Sequence, residues 1–249
     1  MRFFICISYK GAAYSGWQIQ KNAPSIQQKL EEALSIVFSQ SVSVTGCGRT
    51  DAGVNAIDYI AHFDLSSDVK ESKRAVYKLN AILPCDISVS ALYRVSDDAH
   101  ARFDAVRRSY VYRIHTFKDP FCTESYFYKF PVNVETMNEA AKKLIGTQDF
   151  SCFEKVGSDN KTSVCTVYEA RWREVDDTHF EFEITANRFL RNMVRAIVGT
   201  LLEVGRGHKT QEDIDEILKS GDRCKAGGSV PGNALFLNKI EYPYELMKI

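Results

Sequence analysis

The chain carries no net charge, no paired cysteine motif and no long apolar run. Lys and Arg together number 32, as do Asp and Glu, so net charge argues neither for nor against a polyanionic partner. The seven cysteines are odd in number and form no CxxC pair, and the five histidines are scattered. These counts disfavour a disulfide framework and a metal site, and reduced cytosolic thiols are expected.

No secretory or membrane-spanning segment is predicted. The N-terminal apolar pattern ends at Lys10, which is too short for a signal peptide, and no run approaches the roughly 20 apolar residues that span a bilayer. We therefore expect a cytoplasmic protein that does not use a membrane. Its 249 residues, 45% of them hydrophobic, suffice for one large domain or two small ones.

A glycine-rich stretch at 46–54, Gly-Cys-Gly-Arg-Thr-Asp-Ala-Gly-Val, matches neither common phosphate-binding motif. A P-loop has Lys-Ser/Thr after its second glycine, where this chain has Val54 and Asn55. A dinucleotide-binding turn has a third glycine that opens a helix. Both nucleotide-binding motifs are therefore disfavoured.

The same stretch is predicted to form a tight turn between two strands. The β-branched run 42–45 precedes it and the apolar-rich run 54–63 follows. Arg49 and Asp51 stand two residues apart, and an extended segment would point both side chains to one side. Such a turn can present a carboxylate beside a cation in a cleft, but a solvated hairpin turn has the same composition. These residues alone leave both interpretations open.

Strands and helices alternate in both halves of the chain, which predicts an α+β fold. A capping box at Ser25 and Gln28 is predicted to open the first helix. The polar break at 96–98 separates a predicted N-terminal half, residues 1–97, from a C-terminal half, residues 98–249. The predicted helices cover 26–37, 70–83, 134–145 and 210–218, and the predicted strands cover 3–9, 87–95, 109–117, 164–174, 179–185 and 234–240.

Apolar residues at helical spacing predict a further helix over 187–204. On such a helix Arg188, Arg191 and Arg195 would share an arc of roughly 100° opposite the apolar face. Glu203 is the only acid in this range, whereas a solvated helix face usually mixes both signs. The pattern predicts a band of guanidinium groups that binds anions.

A second basic group is interleaved with aromatic residues, a composition that binds phosphates and stacks on unpaired bases. Its members are Arg102, Phe103, Arg107, Arg108, Tyr110, Tyr112 and Arg113.

Several separated motifs together resemble one known family. They are Tyr-Ser-Gly-Trp-Gln at 14–18, Gly-Arg-Thr-Asp-Ala-Gly-Val at 48–54, Ala-Arg-Phe at 101–103, Arg-Ser-Tyr at 108–110 and Met-Val-Arg at 193–195. In this order and at this chain length they resemble the TruA family of tRNA pseudouridine synthases. That resemblance implies a pseudouridine synthase-type fold of two α/β halves, whose antiparallel sheets are flanked by helices and whose active-site cleft lies between the halves.

The resemblance also implies a reaction and a partner. The family isomerises uridine to pseudouridine at positions thirty-eight to forty, in the anticodon stem–loop of tRNA. Its members are homodimers that use no metal and no organic cofactor. The expected partners are therefore tRNA and a second copy of the chain.

Carried over by motif, the resemblance implies roles for individual residues. Asp51 is the catalytic aspartate, Tyr110 stacks on the target base, Arg195 pairs with Asp51, and Arg49 helps to hold the nucleotide out of the stem. The further substrate contacts that it implies are Arg102, Arg108, Arg188, Arg191 and Leu235.

The chain departs from the family pattern at a few positions. Asn55 stands where the family usually has histidine, and Asp58 and Tyr59 replace a common Gly-Gln. The family's Pro-x-x-Gly-Leu pattern becomes Pro-Gly-Asn-Ala-Leu at 231–235. These departures leave Asp51 intact, but they put in doubt how closely the RNA contacts follow the family.

Three functions are compatible with these residues: an RNA-modifying isomerase, an RNA-binding module without catalysis, and a hydrolase that uses Asp51 on a small anion. Two arginine–aromatic clusters so far apart exceed what a small-molecule enzyme needs, and only RNA binding should weaken steeply with salt. Near the aspartate, Trp17, His62 and Cys47 are interpreted as packing residues rather than as a base platform, a ligand and a nucleophile.

Overall fold

The structure is a computed structural model that describes residues 1–158 and 160–247. By packing it divides into two units, Met1–Val106 with Leu237–Ile249, and Arg107–Phe236. Both units combine antiparallel strand pairing with helices, which confirms the predicted α+β class. The predicted domain boundary after residue 97 stays a prediction.

The first unit holds two helices and most of the strands of its sheet close together in sequence. The elements are β1 (Arg2–Tyr9), α1 (Ile26–Phe38), β2 (Val44–Gly46), β3 (Asn55–Asp64), α2 (Ser72–Ile82) and β4 (Ile87–Arg94), with residues 237–241 of β10 (Leu235–Glu241) near the C-terminus.

In this unit β1 lies between β4 and β3 and pairs antiparallel with both. β2 pairs antiparallel with the last part of β3, so Gly46 of β2 faces Ala61 of β3. β1 is almost entirely buried because its apolar residues occupy both faces; Phe3, Phe4 and Ile5 have no exposed surface.

The start of α1 confirms one half of the predicted capping box. The Ser25 hydroxyl accepts a hydrogen bond from Gln28 N at 3.3 Å, as an N-cap should. The reciprocal bond was predicted wrongly, because the Gln28 side chain instead donates to Glu32 Oε1 at 2.9 Å. The i, i+4 contact on the helix surface competes for the same amide.

The second unit contains a four-stranded antiparallel run and three helices. Its elements are β5 (Arg107–His115), β6 (Tyr126–Phe127), α3 (Val134–Lys142), β7 (Gly146–Asp149), β8 (Val164–Glu174), β9 (His179–Ala186), α4 (Met193–Gly205) and α5 (Gln211–Ser220).

The strand order in this unit is β5–β9–β8–β7, and β6 adds a short parallel pair to β5. Alternation along β9 separates two faces: Phe182 and Ile184 are buried, while Glu181 and Glu183 point to the other side. On that charged face Glu181 forms ion pairs with Arg113 of β5 and with a β8 arginine. The apolar residues of the opposite face form part of the core of this unit.

The helix predicted from residue 187 begins only at Met193. Asn192 is its N-cap and has a positive φ of 67°, which interrupts the helical path. The preceding carbonyls bond elsewhere: Asn187 O accepts from the Arg108 guanidinium at 2.7 Å, and Arg191 O accepts from a backbone N–H at 3.0 Å. Tertiary partners thus replace the helical bonds that the apolar spacing alone predicted.

Across residues 1–158 and 160–247, no helix has both the length and the apolar character needed to span a bilayer.

Candidate active site

Asp51 lies in a turn between β2 and β3, which we call the aspartate turn (residues 47–54). Val54 N donates to Asp51 O at 3.2 Å, which closes a four-residue turn. Gly53 has a φ of 78°, and it occupies the third position of that turn, where a type II turn requires a positive φ. This positive φ explains why the motif has a glycine at position 53. The turn leaves Asp51 half-buried rather than fully solvated.

The aspartate turn is held against a second loop, residues 10–17, which we call the first loop. Trp17 N donates to Thr50 O at 3.2 Å, and the Thr50 hydroxyl lies 2.9 Å from the Tyr9 hydroxyl in the interior. A Cβ at Gly16 would lie only 2.4 Å from Thr50 O, and Gly16 has a φ of 97°. The backbones of the aspartate turn and the first loop are in direct contact here, so the turn packs against the loop and does not project freely into solvent.

A pocket of about 180 Å³ lies beside the aspartate turn. Arg49 and Arg102, which are far apart in sequence, both line it. Arg49 is exposed and its Nε donates to Gln18 Oε1 at 3.0 Å, so Gln18 orients the guanidinium. Gln18 was not assigned a role from the sequence; its position in the Tyr-Ser-Gly-Trp-Gln motif was the available signal. The pocket combines two cations with amide groups, a lining suited to a nucleotide's phosphate and polar edges.

The three packing interpretations near the turn are confirmed. Trp17 is buried and stacks on Tyr59 with ring centroids 4.2 Å apart, and Cys47 is buried beside them. His62 is buried, and its Nδ1 accepts a hydrogen bond from Ala101 N at 3.1 Å. Burial, together with the charges of its neighbours, lowers the pKa of His62 from 6.5 to about 4, so this histidine is neutral at pH 7.

Tyr110 lies on β5 in the second unit. Its ring is half-buried and meets Phe189 edge-on, with centroids 5.1 Å apart. Tyr112, two residues on and on the same face of the strand, is completely buried, and its hydroxyl donates to Pro231 O at 2.9 Å. Burial raises the pKa of Tyr112, although the nearby charge of Arg195 opposes the shift. Of these two tyrosines, Tyr110 is the one with a partly accessible ring.

The three arginines predicted to share a helix face occupy different environments. Only Arg195 lies on α4, and its Nε donates to Val230 O at 2.8 Å. Arg188 and Arg191 precede the helix: the Arg188 guanidinium donates to Thr162 O, while Arg191 is exposed. The predicted single band of guanidinium groups is therefore wrong, because these residues are not on one helix.

The segment 229–231 holds the beginning of α4. The Asn192 amide donates to Ser229 Oγ at 2.7 Å, and Val230 N donates to Arg195 O at 3.3 Å. This segment precedes Leu235, which is buried at the start of β10. The sequence analysis noted the segment only as a loop, and its role in fixing Arg195 could not be read from its composition.

The second basic group is also divided. Arg107 and Arg113 lie on one face of β5, where Arg107 packs over the Tyr168 ring at 4.7 Å and Arg113 pairs with Glu181 at 2.9 Å. Arg108 lies on the face of Tyr110. Of these three arginines, only Arg108 shares the face of β5 that carries Tyr110.

The predicted roles of Asp51, Tyr110 and Arg195, and the other predicted RNA contacts, stay predictions. Asp51, Arg49 and Arg102 belong to the first unit, and the remaining predicted site residues up to Leu235 belong to the second. Within 1–158 and 160–247, no three His, Cys, Asp or Glu residues are grouped so that they could hold a metal ion.

Comparison with known proteins shows to which family the chain belongs. Relatives named tRNA pseudouridine synthase A include one from Bacteroides fragilis, 49% identical over 99% of this chain and 98% of its own length. One from Parabacteroides distasonis is 48% identical over 100% and 98%, and one from Bacillus subtilis is 38% identical over 97% and 99%. The chain belongs to the tRNA pseudouridine synthase A family. Residues 140–243 also match the family described as tRNA pseudouridine synthase.

Membership in this family confirms the resemblance found in the motifs. The family consists of isomerases that act on tRNA uridine. The mixed fold of helices and antiparallel sheets is the pseudouridine synthase fold. The aspartate turn, which includes Arg49, lies N-terminal to residues 140–243, the segment that matches the family model. The full-length relatives cover the turn as well.

Proposed function

We propose that this protein isomerises uridine to pseudouridine at positions thirty-eight to forty in the anticodon stem–loop of tRNA, with Asp51 as the catalytic carboxylate. The observation that carries the proposal is the aspartate turn, in which a half-buried carboxylate residue is presented on a loop fixed by buried contacts. Catalytic groups need such preorganised support.

The reaction explains why the target base must leave the helix. An N1–C1′ glycosidic bond is exchanged for a C5–C1′ bond, so the uracil ring has to detach, rotate and reattach. A stacked and paired base has no room for that rotation and must be flipped out, at a cost of a few kcal/mol. Phosphate contacts and an aromatic surface can offset this cost.

Asp51 is proposed to act in its ionised form. The carboxylate can attack ribose C1′, attack uracil C6, or help to remove the ribose 2′ proton. Arg195 is proposed to pair with Asp51 and to favour the ionised form, with a planar two-donor geometry that lysine lacks. Tyr110 is proposed to stack on the flipped base, which is supported by its partly accessible ring.

The remaining arginines are proposed to bind RNA. The pocket beside the aspartate turn supports this role for Arg49 and Arg102, since both line it. Arg108, Arg188 and Arg191 are proposed as phosphate contacts, and Leu235 as a substrate contact. We also propose that the chain acts in the cytoplasm as a homodimer.

The decisive experiment compares Asp51→Asn with wild type on unmodified tRNA transcripts without added cofactor, mapping pseudouridine by position. Asp51→Asn should slow isomerisation by at least about 10²- to 10⁴-fold, the range for loss of a positioned catalytic group. Its tRNA affinity should stay close to that of wild type, because the substitution removes a negative charge and no phosphate contact.

Asp177→Asn is the matched control, since Asp177 is an exposed residue of the turn between β8 and β9. It should isomerise tRNA at the wild-type rate. If wild type modifies none of positions thirty-eight to forty, the proposed site in tRNA is wrong. If Asp51→Asn retains full activity, the proposed role of Asp51 is wrong, and binding without turnover by wild type would favour an RNA-binding module.

A further inference from the structure

The aspartate turn and the first loop approach each other so closely that no side chain fits between their backbones. A Cβ at Gly11 would lie 2.1 Å from Val54 O. At the tip of the turn, Gly53 N donates to Tyr14 O at 3.4 Å. The position of the turn therefore depends on how firmly the first loop is held.

The first loop is itself tied to the body of the unit. The Tyr14 hydroxyl donates to Asp86 Oδ1 at 2.7 Å, and Lys10 N donates to Asp86 O at 2.9 Å. Burial and the hydrogen bond to Asp86 both raise the pKa of Tyr14, so the phenol remains protonated and able to donate at any pH near neutrality. The loop is a fixed surface against which the turn can be positioned.

One side chain joins the turn to this surface. Asn55 follows the turn directly as the first residue of β3 and is only 2% exposed. Its Oδ1 accepts a hydrogen bond from Gly11 N at 2.8 Å. A buried amide costs free energy unless it is hydrogen-bonded, and a backbone N–H buried at the same place needs an acceptor for the same reason. This one bond satisfies both the Asn55 Oδ1 and the Gly11 N–H.

We propose that Asn55 is a positioning residue, which sets the place of the Asp51 carboxylate by locking the end of the aspartate turn to Gly11. The inference rests on the proposed role of Asp51. Thr50, in the middle of the turn, is held by Tyr9, and Asn55 fixes the C-terminal end of the turn. Without the Asn55 acceptor, the Gly11 N–H is left unsatisfied and the contact that holds Val54 loosens.

The consequence should be a loss of rate rather than a loss of RNA binding. A displacement of about 1 Å at a reacting group costs roughly 100-fold in rate. Asn55 is almost completely buried, so the change removes no surface group that a phosphate contacts.

The test uses Asn55→Ala, which removes the acceptor, and Asn55→His, whose neutral imidazole offers one acceptor nitrogen. The matched control is Asn80→Ala. Asn80 makes the same kind of clamp, accepting from Val89 N at 2.7 Å and donating to Val89 O at 2.8 Å, in the same unit but outside the turn and the first loop. It reports the cost of losing such a clamp without moving Asp51.

Three quantities are measured at about pH 8, where a free imidazole is neutral: the single-turnover rate at saturating enzyme, the tRNA dissociation constant, and the melting temperature. Asn55→Ala should lower the single-turnover rate by about 30- to 100-fold with tRNA affinity within about threefold of wild type. Asn55→His should recover most of that loss. Asn80→Ala should lose thermal stability but keep its rate within about twofold.

The inference is overturned if Asn55→Ala keeps the wild-type rate, if Asn80→Ala loses as much rate, or if the loss follows tRNA affinity alone. If Asn55→Ala does not fold, Asn55→Ser replaces it with the same expected loss, since its hydroxyl oxygen lies one bond nearer the backbone than Oδ1. Asp51→Asn, measured in parallel, distinguishes the role of Asn55 from the role of Asp51. If Asp51→Asn is inactive and Asn55→Ala keeps the wild-type rate, only the role of Asn55 is contradicted. If Asp51→Asn is active, both roles are contradicted.

Discussion

The aspartate turn and the arginine segment (residues 187–195) are held in place by different means. The turn is fixed by backbone groups in close approach, as at Gly16, where an added Cβ would be 2.4 Å from Thr50 O. The arginine segment is fixed by side chains that donate to carbonyls or hydroxyls, such as Arg195 to Val230 O and Asn192 to Ser229.

This difference determines how each region should respond to substitution. Close backbone packing leaves no room for added volume, so a methyl group added at Gly16, where the first loop contacts the aspartate turn, must displace the main chain. A side-chain hydrogen bond contributes only about 1 kcal/mol net, so the arginine segment should weaken in small steps. The four predictions below test this contrast, from the largest expected effect to the smallest.

Gly16→Ala should lower the free energy of unfolding by about 3 kcal/mol or more, since overpacking and a strained positive φ each cost about 1–3 kcal/mol. Urea unfolding measures the loss. Gly48→Ala, in the aspartate turn, is the control, because a Cβ there meets nothing within 4 Å. Equal stabilities of the two variants would contradict the view that close packing holds the turn.

His62, on the strand that follows the turn, should make stability fall in acid. The folded protein holds the His62 pKa at about 4 and the unfolded chain at 6.5, so protonation favours unfolding as pH drops through this window. The free energy of unfolding should decrease by about 3 kcal/mol between pH 7 and pH 4 from this group, and the contribution should level off below pH 4.

The measurement is urea unfolding at a series of pH values for wild type and His62→Asn, whose Oδ1 can still accept from Ala101 N. The variant should lack this part of the pH dependence, whereas the exposed His208→Gln should retain it. An unchanged pH profile in His62→Asn would show that His62 is not the group responsible.

Asn192→Ala should destabilise the protein by about 1 kcal/mol, because the residue keeps a positive φ that alanine disfavours and loses its bond to Ser229. Asn192→Gly should cost less, since glycine adopts that conformation freely. Thermal unfolding of both variants gives the comparison. Both variants lose the bond to Ser229, so if Asn192→Gly is the less stable of the two, the positive φ is not what makes alanine unfavourable at this N-cap.

Arg191→Gln should leave stability unchanged, because Arg191 is exposed, but it should reduce the salt dependence of tRNA binding. Loss of one phosphate contact lowers the slope of log K against log salt by roughly 0.7–0.9. Binding is measured at a series of salt concentrations, with Arg74→Gln on α2 as the exposed control. A slope equal to that of wild type would remove Arg191 from the RNA surface.

Local sequence patterns predicted the secondary structure of the aspartate turn correctly, but not that of the arginine segment. The glycines at 46–53 and the apolar run after them identified a turn between two strands, and the structure has one there. The apolar spacing after residue 187 predicted one long helix, but four residues before Met193 use their carbonyls and side chains for tertiary contacts. The Asn192 that precedes the apolar run was the signal for a later N-cap.

The candidate site divides in the same way. Asp51, Arg49 and Tyr110 were assigned to the site by motif, and their roles stay predictions. The contacts that fix side chains at the candidate site were not predicted: Arg49 donates to Gln18, Arg195 donates to Val230 O, and Gly11 N donates to Asn55. Each of these pairs joins residues at least 31 positions apart, beyond the range of any local pattern.

The sequence by itself determined the α+β class, the turn that carries Asp51 and the family to which the chain belongs, because these follow from residue type, spacing and order along the chain. Only the tertiary structure decided where α4 begins, which face of β5 each arginine takes and what the amide of Asn55 does. Buried backbone donors and acceptors must be hydrogen-bonded. Their partners lie on segments that are distant in sequence and come together only in the folded chain.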